Sequence, residues 1–359
     1  MNLKDISTVS ETPLDLGFRM PAEWESHEAT WLAWPHNRSD WPGKMAVIPW
    51  VYAEMVKKIS TGEEVRIIVC SKKHEKNAIK YLDKNKLDLS QVKFFRFGSD
   101  RSWTRDFGPM FIRNSSGEVA VVRFRFNAWA KYRNWKRDDA VPEKAAKALG
   151  TNIFYAKTDN RDVVLEGGSI EVNGKGTLIT TEECLLDPKK QVRNPGLTRS
   201  DLENILRNYL GVKNVLWLGM GIAGDDTHGH IDDICRFVNE KTLLLCREKN
   251  PQDENYRALA ENWERIQDFR LENGSKPEVI PLPMPEPLYF KDCRLPASYA
   301  NFYISNAAVL VPTFNDPSDR IALGILSELI TDRPVVGIHA VDLVWGLGTI
   351  HCLTQQQPR

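Results

Sequence analysis

"PMFIRNSSGEVAVVRFRF" (109–126) is the stretch that decides the fold class. Two runs rich in β-branched and aromatic residues flank Ser115-Ser116-Gly117, a turn composition, so the stretch reads as a β-hairpin. A helical pattern, "PEKAAKALG" (142–150), follows it. Similar signals recur along the whole chain. Strand-like runs lie at 64–70, 92–97, 177–181, 214–219, 242–246, 278–283, 308–314 and 334–340. Helical periodicity lies at 50–60, 74–85, 198–211, 255–269 and 319–331. Ahead of the last helix, "NDPSD" (315–319) supplies a turn and an N-cap candidate. Strands interleaved with helices predict an α/β fold, and the hairpins argue against a run of uniform βαβ units. No Pro-, Gly- or Ser-rich linker divides the chain, so one domain over 1–359 is expected. Two or three strands plus a helix can be counted roughly five times, a faint repeat.

The composition narrows the function classes. Hydrophobic residues make up 42% and charged ones 27%, which suits a soluble globular protein with a full core. Lys+Arg and Asp+Glu both number 48, so no basic excess is available for nucleic acid or an anionic membrane surface. The polar N-terminus lacks the apolar centre of a signal peptide, and no apolar run approaches the ~18 residues of a membrane helix. Six cysteines without C-x-x-C spacing indicate neither a zinc knuckle nor a disulfide scaffold. The thiols are expected to be reduced and the protein cytoplasmic. Of eleven tryptophans, Trp24, Trp31, Trp34, Trp41 and Trp50 come early, and packing accounts for them.

Four stretches carry chemistry-bearing residues. In "GDDTHGHIDD" (224–233), an extended chain would put His228, His230 and Asp232 on one face. Two functional readings compete there: a metal-dependent hydrolase built on those three residues, or a histidine acid/base beside an Asp that holds a cationic substrate. In "SWTRDFGPM" (102–110), Trp103 walls Asp106 near a strand entrance, although an Asp in such a turn more often pairs with a neighbour such as Arg105. In "VVLEGGSIEV" (163–172), Glu166 closes an apolar run, and burying a carboxylate there is costly unless it is paired. The chain ends "WGLGTIHCLTQQQPR" (345–359), where Gly346 and Gly348 would let ligand and backbone approach Cys352. His351, its neighbour, points the other way in an extended chain. The two G-x-G forms lack the strand–helix context of a nucleotide site, and no G-x-S-x-G elbow occurs.

Taken together, "WTRDFGP", "LEGGSIEV", "THGHIDD", "PASYANFYISN" (296–306) and "HCLTQQQP" resemble the agmatine deiminase family, peptidylarginine-deiminase-like members of the guanidine-modifying superfamily. The likeness runs in order from "MPAEWESHEATWLAWP" (20–35) to the end. One departure is Gly346-Leu347-Gly348-Thr349, where familiar members carry Gly-Gly-Gly-Asn. The resemblance implies an α/β propeller of five pseudo-symmetric ββαβ units around one site. It also implies Cys352 as nucleophile and His230 as general acid/base. Asp106 and Asp232 hold the guanidinium, and Glu166 pairs with it or with the histidine. Trp103 lines the pocket, and Asn301 is a further site residue. No metal or cofactor is implied, and the partner is a small cationic guanidino compound. A homo-oligomer is compatible with the sequence. Agmatine is favoured over free or peptidyl arginine because an acidic site repels a carboxylate. Arg105, Arg123 and Arg125 are the cations that would answer one.

Overall fold

The structure, a computed structural model, describes residues 11–158 and 161–359. The first ten residues, which carry part of the expectation of no leader, lie outside the described residues. Four three-stranded sheets share one plan, an antiparallel pair followed by a parallel neighbour. The hairpin read from sequence forms the first of them. Met110–Arg113 pairs antiparallel with Val119–Arg123, and helix Val141–Leu149 crosses over to the parallel strand Ile153–Tyr155. Glu171–Val172, Thr177–Thr181 and Asn214–Leu218 repeat the order around helix Arg199–Leu210. Cys235–Phe237, Thr242–Arg247 and Glu278–Pro283 do so around helix Asn255–Arg265. Tyr303–Ile304, Val309–Thr313 and Val335–His339 do so around helix Ser318–Leu329.

A further sheet joins the two ends of the chain. His27–Ala33 pairs antiparallel with Gln355–Pro358, and parallel with Glu64–Ile68 beyond helix Ile48–Ile59. Val92–Phe95 adds an outer strand. Cys352 therefore precedes a strand locked into the sheet that the first strand began. This pairing holds a chain end that would otherwise fray.

Central strands such as Thr177–Thr181 and Val309–Thr313 are buried along almost their whole length, as strands covered on both faces are. Their side chains feed one large cluster that includes Trp31, Ile67, Leu244 and Leu310 and a second around Ile112, Leu178 and Leu206. Trp31, Trp34 and Trp41 are fully buried, whereas Trp50 is exposed. The helix after "NDPSD" starts at Ser318 on Pro317, with no side-chain cap. Asp319 instead closes the turn, accepting from Phe314 N and Asp316 N. No helix among the described residues is long and apolar enough to cross a membrane.

Candidate active site

Cys352 sits in the short turn His351–Leu353 and is buried. Asn301 clamps this turn. Its Oδ1 accepts from Thr349 Oγ1 at 2.8 Å, from His351 N at 3.1 Å and from Cys352 N at 3.3 Å. Its Nδ2 donates to Cys352 Sγ at 3.1 Å. The thiol lies 3.7 Å from Asp232 Oδ2.

His230, Asp106, Glu166 and Asp232 meet close by, all buried. His230 Nδ1 is 3.8 Å from Asp106 Oδ1 and 4.0 Å from Asp232 Oδ1, and Nε2 is 3.8 Å from Glu166 Oε2. Both ring nitrogens, Glu166 Oε2 and Asp232 Oδ1 are buried and make no hydrogen bond. Buried polar groups without partners are costly and rare, and several facing one another mark a place where a ligand supplies the partners.

The neighbourhood fixes each carboxylate. Asp106 Oδ2 accepts from Trp129 Nε1 at 2.9 Å and Oδ1 from Gly168 N at 3.1 Å. Gly168 is pressed against the site: a Cβ there would lie 2.6 Å from His230 Nδ1 and 2.8 Å from Asp106 Oδ1. Only glycine lets the backbone come this near. Burial, then the charges of Asp232 and Glu166, push the Asp106 carboxyl up to about 6 against the pull of His230. Glu166 is lowered to about 2 in spite of burial, because Arg193 donates from Nε to Oε1 at 3.2 Å. Burial disfavours a charged His230, yet Asp106 and Glu166 hold its pKa well above the usual histidine range. Burial raises the Cys352 thiol far above its ordinary value, and Asp232, Asp233 and Asp106 add to it.

The structure corrects three expectations. Residues 231–233 form a tight turn rather than a strand. His228, at φ +68°, leaves the cluster and pairs with Glu183 at 3.2 Å and Asp187 at 2.8 Å. The trio His228, His230 and Asp232 therefore does not assemble as a metal site. His351 does not point away, because its segment is a turn: Nδ1 bonds Asp232 Oδ2 at 2.7 Å and Nε2 bonds Glu23 Oε2 at 2.8 Å. Gly348 does lie against Cys352, where a Cβ would sit 3.2 Å from Sγ, and Gly346 and Gly348 also admit tryptophan rings. A Cβ on Gly348 would lie 2.8 Å from Trp103 Cζ3, and one on Gly346 2.7 Å from Trp41 Cε2.

Sequence reasoning missed Glu23, Arg193 and Arg236. Glu23 gathers His351, Arg105 at 3.1 Å and Arg236 at 2.9 Å into a buried network behind Asp232. No spacing connects these positions. The only available signal was the need for a cation to pair buried Glu166.

A cavity of about 250 Å³ opens onto Asp106 and Cys352. Trp103, Trp129, Tyr132, Phe290 and Leu347 wall it, with Asp40, Asp226 and Arg101 also lining it. Leu347 stands at φ +69°, a left-handed backbone that favours glycine. A larger cavity of about 510 Å³, between Phe18 and Lys213, holds none of the clustered groups. Chemistry, not volume, selects the site.

The Porphyromonas-type peptidyl-arginine deiminase model matches residues 19–358. Agmatine deiminases of Pseudomonas fluorescens and Pseudomonas aeruginosa are 37% and 36% identical to the chain, and each alignment covers 98% of it and 99% of the relative. The solved agmatine deiminase of Enterococcus faecalis superposes with a TM-score of 0.89 at 32% identity, covering 98% of both chains.

Proposed function

Because this chain belongs to the Porphyromonas-type peptidyl-arginine deiminase family, we propose that it hydrolyses agmatine to N-carbamoylputrescine and ammonia through a covalent intermediate on Cys352. It is a hydrolase acting on C–N bonds of a guanidino group. The observation that carries the substrate reading is the set of unpartnered buried atoms on Glu166, Asp232 and His230 beside the thiol. A guanidinium offers five N–H donors in a flat fork, and carboxylates match it. We take the five sheets as pseudo-symmetric units surrounding this site in one catalytic domain.

Asp106 and Asp232 hold the guanidinium with its carbon in front of Cys352, while Glu166, braced by Arg193, orients His230. The cation that fills the site also ionises the thiol, whose proton passes to solvent. At ~4 Å a unit charge is worth roughly 4 kcal/mol at an effective dielectric of 20, about three pKa units. The thiolate adds to the carbon, forming the C–S bond. His230, held as a cation, protonates one NH2 group, and ammonia leaves with the C–N electron pair. The resulting S-alkylthiouronium is attacked by water whose proton returns to His230. Collapse breaks the C–S bond, the sulfur takes the remaining hydroxyl proton to restore the thiol, and the carbamoyl product leaves.

The cavity wall favours a second positive charge over a carboxylate. Asp40, Asp106 and Asp226 line it, Asp226 being paired with Lys131, and Arg101 is the one Arg or Lys among the described lining residues. Arg101 is already engaged by Asp40 at 2.6 Å and stacked 4.2 Å over the Tyr132 ring. Arg105 is held by Glu23, and Arg123 and Arg125 by Asp139. None of the three cations read from sequence is free to answer a substrate carboxylate. We expect kcat/KM for agmatine to exceed that for free arginine at least ~100-fold, a difference of about 2.7 kcal/mol. Parallel ammonia-release assays with agmatine, arginine and an arginine-ended peptide test this. Equal activity on arginine or the peptide would discard agmatine as the preferred substrate.

The pH profile follows from Asp106. Its carboxylate must be ionised to hold a cation, and its charge is lost as pH falls through about 6. kcat/KM should thus decline below about pH 6, approaching tenfold per unit. A profile flat to pH 4.5 would remove Asp106 from substrate binding.

A further inference from the structure

A second cysteine, outside the cluster around Cys352, stands beside two histidines. Cys70 follows strand Glu64–Ile68 and directly precedes Ser71, the N-cap of the 13-residue helix Lys72–Lys84. The positive end of that helix favours an anion beside it. Cys70 Sγ lies 3.6 Å from His36 Nε2. The decisive detail is the environment of the His36 ring. Nδ1 faces Trp34 O at 3.3 Å and Nε2 faces Ser99 O at 3.1 Å. Carbonyls only accept, so a neutral imidazole leaves one nitrogen lone pair against a carbonyl, whereas the imidazolium donates to both. His74 completes the cluster: its Nδ1 accepts from Cys70 N at 3.1 Å, and its ring sits 5.3 Å from that of His36.

We propose that Cys70, paired with His36 at the start of helix Lys72–Lys84, is a second reactive thiolate and the site at which hydroperoxides oxidise this protein. The thiolate attacks one peroxide oxygen, so the S–O bond forms and the O–O bond breaks. Sulfur is oxidised to a sulfenic acid, and the departing hydroxide takes a proton from the His36 imidazolium and leaves as water. Burial opposes a charged Cys70, but the contact of Sγ with His36, next to its 3.7 Å approach to Ser99 O, goes with a thiol lowered to about 5. The charged group beside it is His36, on which Asp40 acts, with the Arg96–Glu75 pair farther along the helix face. Cys70 is half-buried, which leaves the sulfur reachable. Cys352 is the opposite case, buried among carboxylates and held as a thiol until substrate arrives.

The test must allow for the lower intrinsic nucleophilicity of a low-pKa thiolate. At pH 5.5 an ordinary thiol is only about one part in a thousand ionised, so ionisation dominates the comparison. The full chain without substrate is treated with limiting iodoacetamide at pH 5.5, and modified cysteines are mapped by peptide mass spectrometry. Exposed Cys293 serves as the reference. Cys70 should react at least ~10-fold faster than Cys293, and His36→Ala should slow Cys70 by about tenfold without altering Cys293. Hydrogen peroxide followed by dimedone should place the sulfenic-acid adduct on Cys70, and Cys70→Ser should abolish it. Equal labelling of Cys70 and Cys293 in the wild type, or a dimedone adduct on another cysteine, overturns the proposal. The wild-type arms decide this even if His36→Ala fails to fold.

Discussion

Replacing Cys352 by serine is expected to lower kcat on agmatine by about 10⁴-fold or more, on the scale seen when an enzyme loses its nucleophile. The hydroxyl would sit among the same carboxylates that already make a thiol hard to ionise, and an alcohol starts from a much higher pKa. His230 offers no rescue, because Asp106 and Glu166 keep it protonated, an acid rather than a resting base. Serine is smaller than cysteine by little, and Asn301 would still clamp the turn through Oδ1, so the melting temperature should move by only a few degrees. Ammonia release by the purified variant is the measurement. Turnover within 100-fold of wild type would take Cys352 out of the nucleophile role.

The second large effect is expected at Asp106. Asp106→Asn should cost about 10²–10⁴ in kcat/KM, the 3–5 kcal/mol lost when one partner of a buried charged contact is removed. The loss has two sources in this site. The carboxylate now accepts from Trp129 Nε1 on one oxygen and from Gly168 N on the other, so an amide must turn its NH2 group toward one of these donors. It also removes the negative charge that faces His230 at 3.8 Å and helps hold it as a cation. Steady-state kinetics on agmatine with a melting curve separate these effects from unfolding. A change below tenfold would place Asp106 outside the reaction.

Much of this was legible without coordinates, for local reasons. The hairpin at 110–123 and the helices at 141–149, 199–210 and 318–329 follow from residue spacing and turn composition within a few residues. The α/β class follows from their alternation. The family resemblance carried by these motifs nominated Cys352, His230, Asp106, Asp232, Glu166, Trp103 and Asn301, all of which meet at or beside one cavity.

What failed was the facing assigned to His228 and His351 by assuming an extended backbone at 228–232 and 351–352. Tight turns at 231–233 and 351–353 turned His228 out of the cluster and His351 toward Asp232, reversing the facing that alternation predicts. Turns of this kind are set by distant hydrogen bonds, such as those from His351 N and Cys352 N to Asn301, which no local pattern encodes.

Element types, the α/β class and the inventory of groups able to handle a guanidinium are written in the order of residues. Those properties depend on side-chain chemistry and on contacts a few residues apart. Only the tertiary structure decided which charge answers which. Glu166 meets Arg193 27 positions away, Asp232 meets His351 across 119, and His351 meets Glu23 across 328. Ionisation depends on burial and on charges within a few ångströms, so the protonation of His230 and Cys352 is a property of the folded site, where Asp106, Glu166, Asp232 and Asp233 are brought together from distant positions.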